Sequence, residues 1–263
     1  MTTASIVLAD SLTMSRRNFR RMVRYPSLTL MLVGMPVVFL LLFVYVFGGT
    51  LGAGLGGAVD TRTAYVNYLA PGIILFTVAG AVQGTAISVA MDMTEGIIDR
   101  FRTMSVPRSA VLTGHVIGSM VQTVFGVVVV TGVALLTGFR PTAGTTEWLA
   151  AAGLLVLAAF ALIWLSVALG LAAKSVETAS NSPMILMLLP FLGSGFVPAG
   201  SMPAGLRWFA EYQPFTPVTE TLRGLLTGTP VGNNAIMAVA WCVVIASLGY
   251  FWAVRLFDRR QPR

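Results

Sequence analysis

Met91–His115, MDMTEGIIDRFRTMSVPRSAVLTGH, interrupts two long apolar runs. Asp92, Glu95, Asp99, Arg100, Arg102 and Arg108 all fall within it, whereas no charged residue lies between Arg62 and Asp92 or between Arg108 and Arg140. A charged, helix-forming stretch set between two runs long enough to cross a bilayer reads as an aqueous link between membrane spans. That reading decides the fold class, an all-α polytopic membrane protein, and assigns the link a role in meeting a soluble partner.

The composition agrees. The 263 residues are 56% hydrophobic and only 10% charged, with a mean hydropathy of +0.82, whereas soluble domains carry about 25% charged residues. Transmembrane barrels are written as short alternating segments, and the apolar runs here are long and continuous. Cys242 is the only cysteine and excludes an internal disulfide or a cysteine-based metal site. His115 is the only histidine, which excludes a paired-histidine zinc site and a multi-histidine proton relay. No G-x-x-x-x-G-K-[ST] phosphate loop occurs, and the single lysine, Lys174, follows alanines. Gly52-Ala53-Gly54-Leu55-Gly56-Gly57 spells G-x-G-x-x-G, but it follows a membrane span instead of a strand, so no dinucleotide site is read there. With no acid or base at the middle of a span, the chain shows no energy source and no catalytic or metal-binding residues of its own.

Apolar runs of about 20 residues mark spans, and six are expected, at 28–47, 65–90, 111–136, 148–173, 179–196 and 235–256, in a single domain covering residues 1–263. Before the first span, Arg16, Arg17, Arg20, Arg21 and Arg24 alternate with apolar residues, and Phe19, Met22 and Val23 share a helical face. An amphipathic interfacial helix over 1–26, anchored to lipid headgroups, is one reading; a plain basic leader is the other. The first apolar run is too long for a signal peptide core and is read as retained. Pro183, Pro190, Gly193, Gly195 and Pro198 break up the fifth span. Between 198 and 232 two short re-entrant helices are expected, the second with Thr216 as N-cap, Pro217 at its first position, Glu220 in its first turn and Gly228 past its end.

Six spans put both termini and the links after spans two and four on one side. Thirteen of the 17 basic residues lie there, and only Arg62, Arg140, Arg207 and Arg223 lie on the other. The positive-inside rule makes the first side cytoplasmic, in a cell membrane and most simply a bacterial one. Six acids share that side and four the other, so the whole net charge of +7 is a topology signal. Nucleic acid needs no place in this explanation.

The charged link is expected to form a helix over 92–106. Asp92 and Glu95 have the spacing of a capping box, Glu95 and Asp99 precede Arg100 and Arg102 as the helix dipole favours, and Ile97, Phe101 and Met104 share one face. Pro107 ends it. Such a helix suits a groove on a soluble protein; a simple interfacial turn is the alternative. His115, about a turn into the third span, reads as an interfacial hydrogen-bonded histidine or as a mechanistic group.

Glu95-Gly96-Ile97-Ile98-Asp99-Arg100-Phe101-Arg102-Thr103-Met104-Ser105-Val106-Pro107-Arg108-Ser109, followed by Val111-Leu112-Thr113-Gly114-His115, resembles the signature of ABC-2 type transporter permeases, in particular the daunorubicin-resistance (DrrB-like) branch. Gln213-Pro214-Phe215-Thr216-Pro217 with Arg223-Gly224 is similar to that family's segment before its last span. His115 stands where many relatives have lysine. The resemblance implies a permease subunit of an ABC exporter, without ATPase motifs of its own, paired with a second permease copy or homologue. It would be seated on separate nucleotide-binding subunits that hold ATP and Mg. Glu95, Gly96, Ile97, Asp99, Arg100, Phe101 and Arg102 would form the coupling helix. A hydrophobic or amphipathic drug or lipid-like compound would be the cargo, passing Phe39, Phe43, Phe76, Gln83, Met184 and Met187, although these equally suit lipid or a dimer interface. The competing reading is a channel or membrane immunity protein that needs no ATP.

Overall fold

The computed structural model describes residues 26–53, 61–95 and 108–259. Every regular element among them is helical. Helix α1 (Pro26–Leu42) passes through one wide π turn, Phe43–Phe47, into α2 (Gly48–Ala53). Then follow α3 (Thr61–Thr94), α4 (Arg108–Leu136), α5 (Thr145–Ala172), α6 (Val176–Asn181), α7 (Met184–Leu188), α8 (Ala204–Tyr212), α9 (Phe215–Thr227) and α10 (Asn234–Arg259).

Five stretches are long and apolar enough to cross a bilayer: Leu32–Gly52, Arg62–Thr94, Leu112–Leu136, Thr145–Ala172 and Asn234–Asp258. They are not equivalent. In α3 and α5, 72% and 67% of the most apolar window is buried, while the other three are about one-fifth buried or less, so α3 and α5 form the centre and α1, α4 and α10 the periphery. Small residues permit this, because membrane helices associate by close packing and interhelical hydrogen bonds more than by hydrophobic exclusion. A Cβ added at Gly170 of α5 would lie 2.7 Å from the Ala86 carbonyl oxygen of α3. Ser166 of α5 donates to the carbonyl of Val82 across the same seam. On the other side of α5, a Cβ at Gly249 of α10 would lie 2.6 Å from the Leu165 nitrogen.

The chain expected to form the fifth span, read as interrupted by prolines and glycines, is broken into short helices and turns. Pro183 has no N–H to continue α6, α7 is a single turn and a half, and from Leu189 to Phe196 the backbone runs as successive turns. This segment lies antiparallel along α3. Ala179 packs with Ala86 and Ala90, Gln83 Nε2 donates to the Ser180 carbonyl at 3.0 Å, the Phe76 and Phe191 rings meet at 5.1 Å, and Tyr65 donates to the Phe196 carbonyl at 3.4 Å. From Ala86 to Tyr65, α3 rises about 31 Å at 1.5 Å per residue, the thickness of a bilayer core.

Other boundaries differ from expectation. The helix entering from the first span continues to Ala53, beyond the expected end of that span at residue 47. Asp92, expected to open the link helix, lies in the last turn of α3, which ends at Thr94, because α3 continues past its apolar run. Residues 96–107 and 1–25, which carry most of the expected coupling helix and the expected interfacial helix, lie outside the described residues. Thr216 is not the N-cap of α9; Pro214 takes that position and Thr216 turns its hydroxyl inward. Gly228 does close α9, at φ 74°, where a left-handed residue suits glycine.

Gly72 is where the broken segment leans on α3: an added Cβ would sit 2.2 Å from the Gly195 carbonyl oxygen, backbone against backbone. Gly84, in the same helix, has nothing within 4 Å. Gly72→Ala is therefore expected to destabilise the detergent-solubilised protein by about 1–3 kcal/mol through overpacking, while Gly84→Ala is neutral or stabilising by up to about 1 kcal/mol. Parallel denaturation curves of the two variants check this.

Candidate functional site

Where the broken segment reaches its Phe196 end, its backbone carbonyls have lost helical partners. In hydrocarbon such groups must be satisfied by other protein groups, and here the sequence supplies them from α3 and α9. Arg223, on α9, is 6% exposed. Its Nη2 donates to the Ser194 carbonyl at 2.8 Å, its Nε to the Tyr68 carbonyl at 3.2 Å, and its Nη1 pairs with Glu220 at 2.5 Å. The guanidinium also stacks on the Tyr68 ring, 3.7 Å from its centroid, an arrangement that suits the planar cation of arginine. Tyr68 closes the circuit: its hydroxyl donates to the same Ser194 carbonyl at 2.8 Å.

Gln213 and Thr216 hold the other side of the segment. Gln213 Nε2 donates to the Leu189 carbonyl at 3.1 Å and to the Thr216 hydroxyl at 3.3 Å. That hydroxyl accepts from the Ser194 N–H at 3.2 Å. Gly193 makes room, since a Cβ there would lie 2.2 Å from Gln213 Nε2. Nearby, the Arg140 N–H donates to Asn67 at 2.8 Å and the Thr142 N–H to the Leu226 carbonyl at 2.9 Å, tying the loop after α4 to α3 and α9.

Three of the residues expected along a substrate route, Phe39, Phe43 and Phe76, gather with Phe191 and Phe196 in one aromatic cluster. Phe39 meets Phe76 and Phe191 at 5.5 Å, Phe43 meets Phe196 at 5.2 Å, and Phe191 stacks on Phe196 at 4.3 Å. The cluster fastens α1 and α3 to the broken segment beneath the arginine network. Gln83 engages Ser180, as above; Met184 is exposed, and Met187 packs against the core. The six residues thus divide between a packed plug and a half-open face. Glu95 is an exposed turn residue just past α3. Gly96, Ile97, Asp99, Arg100, Phe101 and Arg102, with the five N-terminal arginines, lie outside the described residues. Among the described residues no group of three or more His, Cys, Asp or Glu could hold a metal ion.

A family model for ABC-2 type transporters matches residues 10–227. The chain belongs to the ABC-2 type transporter family. It is 29% identical over 206 residues to the daunorubicin resistance ABC transporter permease protein of Streptomyces coeruleorubidus, covering 78% of this chain and 70% of that one. It is 22% identical over 257 residues, 94% of this chain and 90% of the other, to the "Probable doxorubicin resistance ABC transporter permease protein" of Mycobacterium tuberculosis. It also resembles ABC transporter G family member 20 of Dictyostelium discoideum, at 26% identity over 72% of this chain and 26% of that much longer one. It is accordingly a multi-pass membrane permease related to drug-resistance transporters.

The residues of this ABC-2 permease that the sequence did not single out as a site are Tyr68, Ser194 and Arg223. Arg223 reads in sequence as a cation toward a helix end and as part of the family-like Arg223-Gly224 pair; the further signal was the rarity of charge in a chain that is 10% charged.

Removing the arginine leaves the Ser194 carbonyl to Tyr68 alone, empties the space over the Tyr68 ring and unpairs Glu220. Arg223→Ala is expected to lower stability by about 2–3 kcal/mol, and Tyr68→Phe by about 1 kcal/mol. Arg223→Lys should recover less than half of the loss, because an ammonium cannot bridge three acceptors in one plane. Denaturation midpoints in the order wild type, Tyr68→Phe, Arg223→Lys, Arg223→Ala check the network.

Proposed function

We propose that this chain is the permease subunit of an ATP-driven exporter, moving a hydrophobic or amphipathic compound outward with energy from a separate nucleotide-binding subunit. The observation that carries the reading is a membrane-depth segment built to be broken, held closed at one end by the Arg223 network, in a chain of a transporter family that has no phosphate loop. ATP and Mg belong on the partner subunit. The drug-resistance relatives support the cargo class.

In this reading residues 176–196 are a sixth crossing, and the basic-residue asymmetry makes the Asp92 end cytoplasmic and the Arg223 end external. Both termini are then cytoplasmic, in the plasma membrane. The external network is the closed gate. The face carrying Thr178, Asn181, Met184 and Ile185 is exposed in the single chain. Irregular backbone and polar groups at membrane depth require cover or a water-lined cavity, and a second permease copy or homologue supplies it, with the substrate route between the two. The aromatic plug lies behind that face, so Gln83 and Met184 are the better candidates to touch cargo than Phe39, Phe43 or Phe76.

Glu95 to Arg102 is the contact to the ATP-binding subunit, with Gly96 allowing close approach and Phe101 as its apolar anchor. Gly96→Arg and Phe101→Glu are each expected to reduce copurification of the ATP-binding subunit at least about tenfold, the loss of roughly 1.4 kcal/mol or more of interface. Undiminished copurification and nucleotide hydrolysis in both variants would remove this segment from the interface.

A further inference from the structure

One buried polar contact far from the Arg223 network has no part in the mechanism above. Asp92, in the last turn of α3, and His115, two turns into α4, approach to 3.2 Å between Oδ2 and Nε2, with side chains 4% and 3% exposed. The same seam carries a second polar contact about two turns along α3, where Thr85 Oγ1 donates to Ser119 Oγ at 2.8 Å. Further along, Gly126 of α4 lies close to Thr77 of α3: an added Cβ would be 3.3 Å from the Thr77 methyl. Two antiparallel helices thus meet along a seam with polar groups at two levels, the Thr85–Ser119 hydrogen bond and, nearest the Asp92 end, the Asp92 carboxylate against the His115 ring, whose Nε2 lies within contact distance without hydrogen-bond geometry.

We propose that Asp92 and His115 form a positioning pair that makes the Asp92 ends of α3 and α4 move as one body, so that a push delivered there by the ATP-binding subunit reaches the Arg223 end. The proposal rests on the exporter reading above. Apolar side chains resist separation of two helices but permit them to slide, whereas a buried carboxylate and imidazole 3.2 Å apart lose their contact if either helix shifts along the other. A buried pair is also a poor investment for stability alone, since packed apolar residues of similar volume often replace such a pair with no loss of fold, while removal of one partner leaves a charge stranded. The pair joins the ends of helices that flank residues 96–107, and it does so within the protein, shielded from the solvent that would weaken it.

The test uses the full permease with Cys242→Ser and Tyr212→Cys, the new thiol carrying an environment-sensitive fluorophore, assembled with its ATP-binding subunit in lipid. Two quantities are read: ATP hydrolysis, and the change in iodide quenching on trapping with ATP and vanadate. With the pair intact, trapping alters quenching. In His115→Leu and in the double variant Asp92→Leu/His115→Leu, hydrolysis is expected to stay within about twofold while the quenching change falls at least about fivefold, the mark of uncoupling by roughly 1 kcal/mol or more. His115→Lys, which keeps a cation opposite Asp92, restores at least about half of it. A full quenching change in the double apolar variant would make the pair a packing element and overturn the proposal. So would failure of His115→Lys to restore the signal, or parallel loss of hydrolysis and signal. If the intact pair shows no ATP-dependent change, or no complex forms, the exporter reading falls and takes the proposal with it.

Discussion

A carbonyl oxygen inside a membrane must find a donor, and the fold is arranged around one place where the helix that would have provided it has been broken. Pro183, Pro190, Gly193 and Gly195 prevent a continuous helix between Val176 and Phe196, and each peptide group so released would cost several kcal/mol if it faced hydrocarbon. The donors come from a distance. Tyr68 of α3 and Arg223 of α9 both serve the Ser194 carbonyl, and Gln213 serves Leu189. That requirement explains why α3 is the most buried long helix, why α9 folds back against it, and why a cation and its acid are tolerated in so apolar a chain.

A segment satisfied by side chains in place of its own helix can be released without unfolding the helices on either side. The long helices α3 and α5 meet closely through small residues, while the contacts at Ser194 are few, polar and directional. Interactions of that kind have two discrete arrangements, made or unmade, which is what a gate needs. The aromatic cluster of Phe39, Phe43, Phe76, Phe191 and Phe196 adds a tilted, interleaved layer below it that can repack as the segment shifts. In the proposed export cycle these are the parts that change, and the α3–α4 seam is the part that does not.

The membrane class and the long helices were legible from apolar run length, since nothing but a bilayer rewards such runs. The family was legible because its signature is concentrated in one charged stretch, Glu95–His115. The breaks in the fifth span were legible as proline and glycine, but their outcome was not, because hydropathy is blind to whether an apolar run is one helix or a series of turns. Asp92 misled for a related reason. Its spacing to Glu95 fits a cap, yet an acid can also end a long helix when a buried histidine 23 residues away pairs with it, and that pairing is tertiary. Likewise Thr216 looks like a cap in sequence, whereas in the fold its hydroxyl is needed by the Ser194 N–H, 22 residues earlier. Arg223 was visible as a charge toward a helix end and as part of the family-like Arg223-Gly224 pair, but its partners were not, since two of its acceptors lie on segments 29 or more residues away.

The central claim is that the broken segment from Val176 to Phe196 carries the chain from one side of the membrane to the other. It is tested most directly in the Cys242→Ser protein with one cysteine placed at Lys174 or at Trp208, both exposed, and labelled by a membrane-impermeant maleimide in intact spheroplasts and in inverted vesicles. The fold predicts opposite sidedness, with position 208 labelled in spheroplasts and position 174 only in inverted vesicles. Labelling of both positions from the same side would contradict it.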